Sequence, residues 1–115
     1  MFGRRLSGII FLVSLLLVTA CSKDDMYLFL TEASFGEQFS SACNGVEACT
    51  QAVDIHIGAC INKELMLSAI EAEPELKKAI NTRHILEVQA CLAKKAGKDY
   101  WKSIDMPGHI LSKVK

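Results

Sequence analysis

The sequence predicts an all-α protein, and three observations predict it. Two stretches carry apolar residues at intervals near three or four, namely Cys49, Val53, Ile57, Cys60 and Leu67, then Leu76, Ile80, His84, Val88 and Cys91. Each set therefore falls on one helix face. Between them, Pro74 followed by Glu75 suits the first turn of a helix and ends the helix before it. The connection near Ala72 and Glu73 is short, which favours antiparallel neighbours. The expected fold is a small disulfide-stapled helical hairpin or three-helix array, formed by residues 26–115.

The elements follow in order. From Tyr27 to Phe39, the residues Leu28, Phe35 and Phe39 share one side of a helix. Gly36 opposes this, and the alternation of Tyr27, Phe29 and Thr31 with Leu28 and Leu30 would also suit a strand. Ser40 to Gly45 reads as a turn, and Asn44 with Glu47 three residues on has the form of a capping box. One long helix is expected from Val46 to Ala72. The alternation of Val53, Ile55 and Ile57 is too short to make a strand when helical spacing continues on both sides. Gly58 costs this helix about 1 kcal/mol relative to alanine, so a kink is expected between Gly58 and Asn62. The next helix runs from Pro74, with Ile85 and Leu92 widening its apolar arc, and ends at Lys94, Lys95 and Gly97. The tail holds Tyr100, Trp101, Ile104, Ile110, Leu111 and Val114 around a Met106-Pro107-Gly108 turn. Tyr100, Trp101 and Ile104 either cover the open end of the hairpin or form a candidate partner-binding or membrane-surface site, since aromatics beside lysines are common at both. Both readings stand at this point.

Upstream of the domain, Arg4 and Arg5 precede an uncharged run, Ile9 to Cys21. A basic start, a short apolar core and small residues before a cut site are the parts of a secretory signal. The uncharged span from Leu6 to Ser22 falls short of the roughly 20 apolar residues of a membrane-spanning helix. The closing residues Val18, Thr19, Ala20 and Cys21 resemble the lipobox of bacterial lipoproteins. That resemblance implies cleavage of residues 1–20, lipidation of Cys21 with acyl chains such as palmitate, and a tether over residues 21–25. Ser22 after the lipid-bearing cysteine implies sorting to the outer membrane rather than the inner one, facing the periplasm. In some bacteria Lys23 and Asp24 modify that signal.

Removing residues 1–20 from the 115 leaves 95, enough for one domain with a modest core. Without Arg4 and Arg5 the 13 basic residues fall to 11 against 13 acids, which excludes a nucleic-acid partner on charge. Charge is unevenly spread. Asp24 to Glu75 holds ten acids and one lysine, and Leu76 to Lys115 holds nine basic residues and three acids, so the two halves attract.

With Cys21 assigned to lipid, Cys43, Cys49, Cys60 and Cys91 form an even set in a short exported domain, which implies two disulfides. The gaps of five, ten and thirty intervening residues contain no C-x-x-C pair, so zinc, haem attachment and thioredoxin-like chemistry are poorly supported. On one helix Cys49 and Cys60 are about 16 Å apart, beyond the roughly 7 Å that a disulfide spans. Cys43 with Cys60 meets the same obstacle unless the chain before Asn44 folds back along the helix for several turns. Cys43 with Cys49 and Cys60 with Cys91 remain.

Catalytic patterns are thin. His56, His84 and His109 share no metal spacing, and Glu71, Glu73 and Glu75 belong to a helix junction. No G-x-S-x-G, H-E-x-x-H or phosphate-binding loop is present. The sequence therefore reads as a non-enzyme that needs no metal, cofactor or small-molecule substrate. Two roles suit it. The first is a lipid-anchored protein-interaction module, an accessory subunit of an envelope or secretion assembly with a protein partner in the periplasm. The second is an immunity lipoprotein, or an exclusion factor of conjugative elements, that inhibits an incoming machine.

Overall fold

The computed structural model describes residues 23–112, so Cys21, Ser22 and the signal-like segment lie outside the described residues. Among the described residues five helices follow one another: α1 (Lys23–Ser41), α2 (Glu47–Cys60), α3 (Lys63–Ile70), α4 (Pro74–Ala96) and α5 (Met106–Leu111). Among the described residues there is no strand. The all-α class expected from the sequence is what the chain forms.

The largest departure is a break in the helix expected over Val46 to Ala72. Ile61 and Asn62 are extended, at φ −71°, ψ 127° and φ −93°, ψ 102°. Asn62 is responsible. Its side-chain Oδ1 accepts from the Leu65 amide at 3.2 Å and caps α3, and asparagine competes with helix interiors by this local bond. The break changes the phase of the buried face, so that Met66 and Ala69 are buried in α3 while Leu67 is half-buried.

It also corrects the hairpin register. With the turn at Glu73, equal arms place Cys91 opposite residue 55, an offset from Cys60 of five residues, or about 7.5 Å of helix. Two extended residues rise about 3.3 Å each rather than 1.5 Å and recover about 4 Å of this. The remainder falls on the non-helical turn at 71–73. Cys60 and Cys91 then meet, with Cα atoms 5.6 Å apart and the sulfurs bonded.

The start of α2 differs from the expected capping box. Asn44 and Gly45 both adopt left-handed backbone, at φ 52° and 79°. Val46, without a side-chain cap, occupies the N-cap position. The second disulfide, Cys43 to Cys49, closes over this turn, and its Cα atoms are 5.6 Å apart. Gly97 ends α4 in the left-handed conformation, at φ 75°. Met106-Pro107-Gly108, expected as a turn, instead opens α5, because the Asp105 carboxylate accepts from the Gly108 amide at 3.2 Å.

Helix α4 packs on α2 and α3, α1 lies against α2, and α5 closes on α4 and α1. The shared core contains Phe35, Phe39, Val53, Ile85, Val88, Leu92, Trp101, Met106 and Ile110. Leu76, at the head of the predicted α4 stripe, is exposed.

Candidate functional site

Trp101 is fully buried. Its indole Nε1 donates to the Phe39 carbonyl at 3.0 Å, and its ring meets the Phe39 ring edge-on at 5.3 Å. The tail is held there by Gln89, whose amide donates to the Asp99 carboxylate and to the Trp101 carbonyl at 3.3 Å. Trp101 is thus a core residue with no surface to offer a partner, and the covering role is the one it fills. Tyr100 is half-buried, with the Lys98 ammonium 5.2 Å from its ring centroid.

The histidines have separate environments. His84 is buried, and its Nε2 accepts from the Asn62 backbone amide at 2.9 Å. That acceptor role requires a neutral ring with its proton on Nδ1. Burial holds the His84 pKa below its ordinary value of 6.5, with the Glu87 charge opposing. His84 therefore secures the α2–α3 break, and its ring also lines the groove between α1, α3, α4 and α5. His56 and His109 are half-buried. His109 Nε2 and Gln38 Oε1 are buried without a hydrogen-bond partner among the described residues. Among the described residues no group of three or more His, Cys, Asp or Glu is placed to hold a metal ion. All four cysteines of the described domain are disulfide-bonded, so none is a nucleophile.

A further surface feature among the described residues is the first half of α1. Met26 is 66 % exposed, Tyr27 48 %, Phe29 70 % and Leu30 55 %. The buried residues of α1, Phe35 and Phe39, lie in its second half. Two grooves flank this segment. One, of about 350 Å³ between α1, α3, α4 and α5, is lined by Tyr27, Leu30, Phe35, Met66, Ile85 and Ile110 among others. The other, of about 340 Å³ between α1 and α2, sets Phe29 and Ile57 beside Glu32, Glu37 and Asp54. The sequence reading followed the Leu28, Phe35 and Phe39 side and passed over this patch. The signal was present, however: five consecutive apolar residues, Met26 to Leu30, turn by about 100° each and so surround the helix, which no single packed face can cover.

No protein-family model matches the chain, and no match to it was found among curated proteins or solved structures.

Proposed function

We propose that this chain is a lipid-anchored bacterial envelope lipoprotein, held at Cys21 on the periplasmic side of the outer membrane. Its helical domain acts by binding a protein, as an accessory subunit of an envelope or secretion assembly. The observation that carries this reading is the lipobox-like Val18-Thr19-Ala20-Cys21 run directly ahead of the domain. The two disulfides, in a domain of this size, support it, because such cross-links persist in oxidising exported compartments. The partner-binding part is supported by the structural engagement of His84, which accepts from the Asn62 amide, and of the four described cysteines, all in disulfides.

Two measurements test it. The intact mass of the protein isolated from membranes is expected to correspond to a chain starting at Cys21 with added acyl mass. Crosslinking in intact cells, followed by purification of the lipoprotein, is expected to retain an envelope protein in fixed proportion. A pure protein that captured nothing and turned over a small substrate, with loss on His84→Ala, would overturn the binding class.

A further inference from the structure

We propose that the first two turns of α1 lie in the membrane interface, with Met26, Tyr27, Phe29 and Leu30 buried at the boundary between headgroups and acyl chains. The inference rests on the lipid attachment at Cys21 proposed above. Cys21 is two residues before Lys23, so the lipid-bearing Cα lies within about 7 Å of the first residue of α1. Met26 to Leu30 stand three to seven residues into the helix, or about 4 to 11 Å further along it. An interfacial helix lies along the bilayer with its apolar face about 5–10 Å into the headgroup and acyl boundary, so a lipid at the start of α1 keeps the patch within reach of that boundary.

The occupant follows from that geometry. A partner protein would have to reach the patch from solution, whereas the lipid makes contact with the bilayer an intramolecular event at high effective concentration. The residue types agree with the location. Tyrosine places an apolar ring and a polar hydroxyl at such boundaries, and the three companions are apolar and largely exposed. No described helix is long and apolar enough to cross a membrane, so α1 lies on the bilayer rather than through it. Lys23, Asp24 and Asp25 form the first turn. The two aspartates are favoured at a helix N-terminus and disfavoured by anionic lipid. The contact is therefore made best with zwitterionic headgroups.

The test uses the mature lipoprotein in phosphatidylcholine vesicles whose acyl chains carry bromine near the headgroup. Trp101 is the chain's one tryptophan and is buried, so it supplies a constant background. Phe29→Trp places a reporter in the patch, and Ile55→Trp places one at a 72 % exposed position on α2. Both sites are open to solvent, so neither substitution disturbs the core. Emission from position 29 is expected to shift to shorter wavelength and to be lost to the bromines, while emission from position 55 keeps its intensity. Equal quenching at the two positions, or none at position 29, overturns the inference, including the case where a second copy or another protein shields the patch. Intact mass is read on the same sample. Quenching at position 29 in a chain without lipid upholds interfacial burial and overturns the lipid anchor; a lipidated chain with no quenching does the reverse.

Discussion

The Cys60 to Cys91 bridge should contribute more stability than the Cys43 to Cys49 bridge, and the structure sets the size of the difference. Cys60 is the last residue of α2 and Cys91 lies within α4, so their bond joins two helices across a sequence separation of 31. Cys43 and Cys49 close a separation of 6 around the α1–α2 turn. In the chain-entropy description these loops are worth about 3.7 and about 2.2 kcal/mol respectively at 25 °C. The perturbation is a pair of double variants, Cys60→Ala with Cys91→Ala, and Cys43→Ala with Cys49→Ala. Alanine avoids placing a hydroxyl where Cys49 and Cys60 are buried. Thermal unfolding followed by circular dichroism is the assay. The difference of about 1.5 kcal/mol corresponds to a melting temperature about 6–12 °C lower for the Cys60/Cys91 variant in a domain of this size. The comparison is conservative, since Cys43 and Cys49 are both buried while Cys91 is half-buried, and packing losses act against the predicted order. An equal or larger loss in the Cys43/Cys49 variant would refute the loop-length argument and place the stabilisation in the turn itself.

Other expectations follow from single contacts. His84 has a folded pKa below its ordinary 6.5, so its contribution is fully present above about 6.5 and is lost as pH falls from there toward the folded value. Denaturant unfolding at a series of pH values should show that fall, and His84→Phe should flatten it while costing about 1–3 kcal/mol for the orphaned Asn62 amide. Trp101→Ala should destabilise by about 3–5 kcal/mol, measured by urea unfolding, because it empties a fully buried site and strands the Phe39 carbonyl. Gly58→Ala should stabilise α2 by up to about 1 kcal/mol, because the new methyl meets only the movable end of the Glu32 side chain, at 2.9 Å. On the proposed lipidation of Cys21, Cys21→Ser should shift the protein from the membrane to the soluble fraction, since two or more acyl chains at about 0.8 kcal/mol per buried methylene would supply the anchor.

The parts of the fold legible in the sequence are those set by local chemistry. Helical spacing marked the α2 and α4 faces, Pro74 and Gly97 marked the ends of α4, and helix geometry favoured the observed disulfide pairing although the expected register left Cys60 five residues out of step with Cys91. The misreadings share a cause, which is that a polar residue has two local uses. Asn44 and Glu47 matched a capping pattern, but Asn44 takes the left-handed turn conformation and the cap moves to Val46. Asn62 carried no apolar signal, yet it ends one helix and caps the next. Its partner His84 lies 22 residues away, a distance at which periodicity has no bearing. The exposed apolar start of α1 was harder to see, because exposure depends on what fails to pack against a helix rather than on the helix's own residues.

The placement of the cross-links relative to that exposed segment bears on how the domain would present itself to a partner. Both disulfides and the Phe39–Trp101 contact lie in or beyond the second half of α1 in sequence, and the core draws on α1 only from Phe35 onward. The first three turns of α1 contribute no fully buried residue and rest on α3 and α2 only through half-buried side chains such as Leu28, Thr31 and Glu32, while the second half is anchored in the core. A helix fixed at one end and carrying unburied Met26, Tyr27, Phe29 and Leu30 at the other gains most from a second surface to rest on. Interfacial burial at that end would set the angle between α1 and the bilayer. Because α2 and α5 are packed on α1, the same angle would set which face of the domain points into the periplasm. The surface left for a protein partner is then at the other end of α1, where Trp101 meets Phe39, Lys94 and Lys95 stand in the last turn of α4 and Lys98 lies over the Tyr100 ring. Lys98→Glu and Lys95→Glu should accordingly reduce the yield of the crosslinked partner without changing membrane attachment or Trp101 emission. Loss of partner crosslinking on Phe29→Ser alone, with the lysine variants unaffected, would instead place the partner on α1.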